Sequence, residues 1–115
     1  MRQRVYICGP YTEGDTICNV EHACAVADMV LDKGGIPFIP HLFHFWHYIS
    51  HKPKSTWLMI DKHMLHAMHC IVTVGYLTTE GMKEELDYND QYLNLSVYSE
   101  LTVSRKDFSF PLVER

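Results

Sequence analysis

The chain has 115 residues, of which 47% are hydrophobic and 21% charged, and its formal net charge is −4. This length suits one domain with a single core, so we expect residues 1–115 to form one domain with an irregular tail from about residue 102. The Lys and Arg residues are scattered along the chain, which disfavours a nucleic-acid polymer as a partner. No segment approaches the roughly 20 apolar residues of a membrane span, and the first residues show no cleavage-site pattern. We therefore expect a cytoplasmic protein without a membrane partner.

Short apolar runs alternate with helical patterns along the chain. The predicted strands cover residues 4–8, 36–40, 70–76 and 95–101, and the predicted helices begin near residues 15, 56 and 81. The first helix has Asp15 or Thr16 as its N-cap and ends at Gly34-Gly35, and the third reaches about residue 93. We predict a loop over residues 41–54, and a tail after residue 104 that is either an interaction arm or frayed.

Strands that alternate with helices favour a parallel sheet, because parallel strands need a crossover connection and a helix usually supplies it. The predicted fold is a small three-layer α/β sandwich with four or five parallel strands and helices on both faces. In such sheets ligands bind beyond the carboxyl ends of the strands. This rule selects three loops, at residues 9–15, 41–54 and 76–81.

Two acidic residues interrupt the apolar stripes of the predicted helices. Asp61 falls among Trp57, Ile60 and Met64, and Glu85 lies on the inward side of the third helix. Either acid alone is explained as an exposed charge with a neighbouring lysine. Two acids close to the same ligand-binding edge instead indicate a site, because burying a carboxylate is costly unless it serves a ligand or partner. One acid would act as nucleophile or base and the other as acid or ligand anchor.

Three segments resemble the nucleoside 2-deoxyribosyltransferase-like superfamily, which includes deoxynucleoside 5'-monophosphate N-glycosidases. They are "VYICGPYTEGD" from Val5, "PFIPHLFHFWH" from Pro37 and "TTEGMKEEL" from Thr78, and the resemblance spans residues 5–97. It implies a parallel α/β sandwich that cleaves the N-glycosidic bond of a nucleoside or nucleotide, by hydrolysis or by sugar transfer. No cofactor or metal is implied.

The resemblance also implies roles for individual residues. Glu85, four residues after Gly81, is the expected nucleophile, and Asp61 is the second acid or a sugar ligand. Thr79 would contact a 5'-phosphate, and together with the "GPYTEGD" turn it favours a monophosphate over a free nucleoside. The remaining expected substrate-binding residues are Tyr6, Gly9 and Tyr11 on the sugar and base side, His41 and His44 on a phosphate or base, Phe45 and Trp46 stacked on the base, and Gly81.

Other functions remain open from the sequence. The chain could be a non-catalytic nucleotide-binding module, and its eight histidines, several at spacings of three or four, could form a metal site. The four cysteines include no CxxC pair, so we expect buried free thiols in place of disulfides or zinc ligands. The small, aromatic-rich chain and the resemblance both lead us to expect a homodimer or a higher homo-oligomer.

Overall fold

The structure, a computed structural model, describes residues 1–114. In chain order the elements are β1 (Arg4–Cys8), α1 (Thr16–Asp32), β2 (Ile36–Phe38), a 3₁₀ turn (Pro40–Leu42), α2 (Phe43–Ile49), α3 (Lys54–Leu65), β3 (Cys70–Thr73), α4 (Glu80–Tyr88), a π-helical turn (Asn89–Leu93), β4 (Ser96–Ser99) and α5 (Glu100–Val103). No helix among these residues is long and apolar enough to cross a membrane.

The four strands form one parallel sheet in the order β2-β1-β3-β4. This arrangement confirms the predicted parallel α/β sandwich. The chain leaves β1 toward β2 on one side and later returns to β3 on the other side, so the carboxyl ends of β1 and β3 flank a topological switch point. A ligand crevice is expected there.

The alternation of side chains along β1 divides the interior into two clusters. Val5 and Ile7 belong to the cluster that includes α1 residues, while Tyr6 and Cys8 belong to the cluster that includes α3 and α4 residues. All four side chains are buried. Successive strand residues face opposite sides of a sheet. Because helices cover both sides here, every residue of an inner strand faces a core, and the strand is continuously hydrophobic.

The local signals for α1 are confirmed. The Cys18 backbone N–H donates to Asp15 Oδ1 at 3.1 Å, so Asp15, one of the two N-cap candidates, caps the helix. The helix ends at Asp32, and Gly34 follows with a φ of +91°, a conformation that favours glycine.

The predicted loop over residues 41–54 is wrong for most of its length, because the 3₁₀ turn and α2 occupy residues 40–49. The sequence reading missed this helix because its apolar and histidine residues show no clear amphipathic period. Aromatic contacts hold it instead: Phe43 stacks on Trp57 of α3 with ring centroids 5.8 Å apart. Helix propensity is a weak local signal that such tertiary contacts override.

The end of the third predicted helix and the last strand also differ from the sequence reading. The α-helical part stops at Tyr88, and the following π-helical turn ends at Leu93, before Asn94, whose φ is +58°. Asn89 is buried and bonds both the N–H and the C=O of Leu95. These bonds fix the sharp entry into β4, which ends at Ser99, before the predicted end at residue 101.

The tail is irregular, as predicted from about residue 102, but the expectation of a frayed end or a free arm is wrong. Phe110 is buried in the cluster on the α1 side of the sheet, and its N–H donates to the Lys33 carbonyl at 2.9 Å. A Cβ at Gly35 would lie 2.7 Å from Val30 Cγ1, 2.9 Å from Val5 Cγ2 and 3.1 Å from the Phe110 ring. Gly35 therefore leaves room for an aromatic residue that is 75 positions away in the sequence.

The cysteine prediction holds in part. All four thiols are free; Cys8 and Cys70 are buried, but Cys18 is exposed and Cys24 is partly exposed. The two buried thiols are those in the strands, where apolar neighbours surround them.

We predict that Phe110→Ala lowers the free energy of unfolding by about 3–5 kcal/mol, because it removes a buried aromatic ring from a filled core. Urea denaturation measures this change. Leu112→Ala is the matched control, since Leu112 is 73% exposed and its truncation should change stability by less than about 0.5 kcal/mol. Equal stability of the two variants would show that the tail is not part of the core.

Candidate active site

A cavity of about 330 Å³ opens at the carboxyl ends of the strands. Its walls come from the loop after β1, from the segment between the 3₁₀ turn and the middle of α3, and from the start of α4. The lining residues are Gly9, Tyr11, Thr12, Glu13, Pro40, His41, Phe43, His47, Lys52, Lys54, Trp57, Leu58, Asp61, Thr79, Gly81, Met82 and Glu85. The cavity is large enough for a drug-sized organic ligand.

Glu85 forms the floor of the cavity and is only 7% exposed. The Tyr6 hydroxyl donates a hydrogen bond to Glu85 Oε2, and the Cys8 thiol donates to Oε1 at 3.6 Å. Both donors are on β1 and point to the same face of the sheet because they are two residues apart. Two hydrogen bonds from β1 thus fix the position of the Glu85 carboxyl group.

Asp61 lies in the same cavity, close enough to influence Glu85. Burial raises the pKa of Asp61 to about 6. Burial and then the charge of Asp61 raise the pKa of Glu85 to about 8, against the opposing effect of the Tyr6 and Cys8 hydrogen bonds. Near neutral pH the two carboxyl groups therefore hold about one proton between them, and their titrations belong to the pair.

One oxygen of this pair has no partner. Asp61 Oδ1 is buried and accepts no hydrogen bond from any residue of the described chain, 1–114. A proton carried by the acid pair, or a donor group on a ligand, is the kind of partner it needs, since an unpaired buried acceptor is costly.

The position of Asp61 on α3 follows from helical spacing. Lys54, Trp57, Leu58 and Asp61 all line the cavity, at spacings of three, four and seven residues. Of the stripe that the sequence predicted, Trp57 and Asp61 therefore line the cavity, while Ile60 and Met64 are not among the lining residues. Leu65, one turn further along, is fully buried and belongs to the core.

His41 is the most buried histidine of the cavity wall, at 5% exposed. Its Nε2 lies 3.2 Å from the Gly9 carbonyl and 3.0 Å from the Pro10 carbonyl, and two carbonyl acceptors require Nε2 to carry the proton. Burial lowers the pKa of His41, so the ring is neutral and Nδ1 is an acceptor. Nδ1 is buried and, within residues 1–114, has no donor.

The structure brings most of the predicted site residues together. Six of the nine expected substrate-binding residues line the cavity or contact Glu85 directly; they are Tyr6, Gly9, Tyr11, His41, Thr79 and Gly81. His44 lies behind the wall, where its Nδ1 is 2.8 Å from the Tyr11 hydroxyl. It positions Tyr11 and does not line the cavity.

The predicted stacking residues Phe45 and Trp46 do not line the cavity. Phe45 is 68% exposed, and Trp46 packs its ring against Trp57 with centroids 5.1 Å apart. The aromatic wall is made by Phe43 and Trp57 instead. The prediction of Phe45 and Trp46 was wrong because it assumed a loop here. In the helix α2 that the structure shows, Phe43 lines the cavity and Phe45 and Trp46 do not.

Glycine occupies two positions of the site, 9 and 81, for different structural reasons. A Cβ at Gly9 would lie 2.7 Å from Val74 Cβ, so Gly9 is required by packing between the ends of β1 and β3. At Gly81 a Cβ would meet no atom within 4 Å. Gly81 therefore leaves open space at the start of α4, on the side of the cavity where Glu85 lies.

The sequence reading missed the basic residues of the wall, which are His47, Lys52 and Lys54. The position of Lys54 could have been predicted from the sequence, because Lys54 lies seven residues before Asp61 and so shares its helical face. His47 Nδ1 accepts the indole N–H of Trp57 at 2.9 Å, which fixes the imidazole in the wall. Among residues 1–114, no three His, Cys, Asp or Glu side chains are arranged to hold a metal ion.

We predict that Glu85→Gln stabilises the protein more at pH 8.5 than at pH 5. The folded-state pKa of Glu85 is raised, so the stability of the wild type is highest below the unfolded pKa of about 4.3 and falls as the pH rises toward about 8. Glutamine does not ionise and removes this loss. At pH 8.5 the melting temperature should rise by roughly 5 °C or more, since about 1 kcal/mol corresponds to 4–8 °C in a domain of this size.

Thermal unfolding followed by circular dichroism at the two pH values measures this difference. The control is Glu84→Gln, because Glu84 is exposed on the same helix and its change should be small at both pH values. A Glu85→Gln variant that is destabilised equally at pH 5 and pH 8.5 would contradict the burial of an ionisable carboxyl group.

The family comparison covers nearly all the elements that build this cavity. The model of the family described as Domain of unknown function (DUF7768) matches residues 3–97, from β1 into β4. A comparison with curated proteins gave no match. Because the matched segment includes most of the chain, the protein belongs to the DUF7768 family.

Proposed function

We propose that this protein cleaves the N-glycosidic bond of a nucleoside or nucleoside 5'-monophosphate, by hydrolysis or by sugar transfer, with Glu85 as the nucleophile. The observation that carries the proposal is the acid pair at the floor of an open cavity, in which Glu85 is buried and Asp61 is partly buried. Glu85 receives two hydrogen bonds from the central strand, and Asp61 beside it has a buried oxygen without a partner. The resemblance of three sequence segments to nucleoside 2-deoxyribosyltransferase-like enzymes supports the same chemistry.

Glu85 is suited to attack at the anomeric carbon of a sugar. As the bond to the base breaks, its electron pair leaves with the base and positive charge develops on the sugar ring. The Glu85 carboxylate captures that charge and forms a glycosyl ester. The Tyr6 hydroxyl and Cys8 thiol stabilise the carboxylate in the position from which it attacks, because both donate to it.

Asp61 is suited to move the proton that this reaction requires. The acid pair holds about one proton near neutral pH, so one carboxyl group is ionised while the other is protonated. The pKa values of about 6 for Asp61 and about 8 for Glu85 place the shared proton on Glu85 at rest, so the reactive form is the one in which this proton has moved to Asp61. In that form Glu85 is the charged nucleophile, and the proton on Asp61 passes to the departing base. In the second step Asp61 accepts a proton from water, or from an acceptor hydroxyl, which attacks the ester and releases the sugar.

The walls of the cavity suit a base and a sugar. Phe43 and Trp57 offer aromatic faces to a planar base. His41 Nδ1 is an acceptor for an N–H or O–H group of the substrate, and this acceptor character means that it serves a base or sugar and not a phosphate. The open space at Gly81 allows a ligand to approach the start of α4.

We predict that the purified protein releases free base from at least one member of a panel of nucleosides and nucleoside 5'-monophosphates. Glu85→Gln should reduce the rate by on the order of 10³-fold or more while ligand binding is retained, because a nucleophile acts chiefly in the transition state. Chromatography of the free base measures the rate, with Glu84→Gln as the control that keeps full activity.

Two outcomes would contradict the proposal. Equal rates for Glu85→Gln and the wild type would exclude the nucleophile role. Binding of a nucleotide without base release, whether or not a free base is added as the sugar acceptor, would identify a nucleotide-binding module in place of an enzyme.

We also propose that the protein self-associates, as its composition led us to expect. Around α2, the side chains of Phe45, Tyr48 and Ile49 are 68%, 81% and 83% exposed, an unusual concentration of apolar surface. Light scattering at micromolar concentration should give at least twice the mass of one chain. Tyr48→Lys/Ile49→Lys should lower that mass, and a wild type that is monomeric would contradict the proposal.

A further inference from the structure

Three acidic residues, Glu13, Asp61 and Glu85, and two lysines line the cavity. Asp61 and Glu85 lie at the floor, while Lys52 and Lys54 line the part contributed by the α2–α3 connection and the start of α3. Neither lysine forms an ion pair within residues 1–114. The Lys52 ammonium donates to Ser50 Oγ at 3.0 Å and lies 5.4 Å from the Trp46 ring centroid. Both cations are therefore available to an anion that enters the cavity.

The start of α3 adds to this positive potential. The N-cap of α3 is Pro53, which supplies no side-chain hydrogen bond, and the first turn contains no acidic residue. Lys54 is its first residue, although a cation is unfavourable at the positive end of a helix dipole. The other long helices follow the usual preference, with Asp15 capping α1 and Thr79 capping α4. An anion beside Lys54 would relieve the unfavourable arrangement.

The sites that the sequence reading assigned to a phosphate are less suitable. Thr79 Oγ1 accepts the backbone N–H of Met82, and the next residue, Glu80, is acidic. The turn after β1 carries Glu13, whose side chain also lines the cavity. Carboxylates on both segments would repel a phosphate dianion.

His41 indicates that the cavity takes a ligand, but it is not the anion-binding group. Its unpartnered and buried Nδ1 is an acceptor, so it needs a donor on the ligand, and a phosphate dianion has none. An anion that enters the cavity would therefore be bound by other members of the wall. Lys52 and Lys54 are the two lysines among the lining residues.

We propose that Lys52 and Lys54 bind the phosphate of the substrate at the mouth of the cavity, which makes the substrate a nucleoside 5'-monophosphate and not a free nucleoside. The nucleoside part of this inference rests on the proposed function; the anion site rests on the lysines alone. Lys54 and Asp61 are two turns apart on one face of α3, about 10 Å along the helix axis. A lysine at one end of this face holds the phosphate while the sugar extends toward the acid pair.

The test compares binding of 5'-monophosphates with binding of the matching nucleosides. Ribonucleosides, deoxyribonucleosides and their 5'-monophosphates are titrated by calorimetry, with Glu85→Gln throughout so that no turnover occurs. The variants are Lys52→Gln/Lys54→Gln and, as the control, Lys106→Gln, which removes a positive charge from an exposed position outside the cavity lining. Melting curves confirm that each variant is folded.

At least one monophosphate should bind ten-fold or more tightly than its nucleoside, and added salt should weaken that preference. Lys52→Gln/Lys54→Gln should abolish the preference without changing the affinity for the nucleoside, and Lys106→Gln should leave both unchanged. The inference is overturned if no monophosphate binds more tightly than its nucleoside, or if the preference survives loss of both lysines.

These results are distinct from a failure of the proposed function. A lysine-dependent preference for monophosphates, in a protein whose wild type releases no base, would leave the anion site standing and reject the glycosidase. Base release at equal rates from nucleosides and monophosphates, unaffected by loss of the lysines, would support the glycosidase and reject the anion site.

Discussion

The Tyr6 hydroxyl donates to the Glu85 carboxylate across the interface between the central strand and α4, and this contact accounts for much of what is unusual in the fold. Tyr6 is fully buried, and Glu85 stands where an amphipathic helix would ordinarily place an apolar residue. Burying an ionisable group costs free energy, and the two donors on β1 offset only part of that cost, because the pKa of Glu85 is still raised. Such a destabilising arrangement is typical of residues retained for chemistry.

The two faces of the sheet have different tasks. On one face, α1, α5 and the tail pack an apolar cluster in which Phe110 fills the space left by Gly35. On the other face, α3 and α4 cover the strands only partly, and the cavity opens between them and the ends of β1 and β3. A rigid sheet gives the acid pair a fixed platform, which the proposed catalytic role requires.

Helix α3 connects the two ends of the cavity. Along one face it carries Lys54, Trp57, Leu58 and Asp61, so cationic, aromatic and acidic groups follow one another at fixed helical intervals. Phe43 stacks on Trp57 from α2, and Trp46 packs edge-on behind it. The distance between Lys54 and Asp61 is thereby fixed by a single rigid element. A ligand with an anionic end and a neutral body fits that order.

The sequence by itself determined the strands, the capped helix α1 and the two acids, because each depends on local information: a buried strand is an apolar run, Asp15 caps its own helix, and Asp61 and Glu85 break a helical period. The resemblance added Tyr6 and His41, whose surroundings agree with a ligand site. Only the tertiary structure decided that residues 43–49 are helical, that Phe43 and Trp57 face the cavity in place of Phe45 and Trp46, and that Phe110 completes the core. Each of these depends on contacts between residues distant in the chain, which no local pattern encodes. The placement of Lys52 and Lys54 in the wall of the same cavity as the two acids has the same origin.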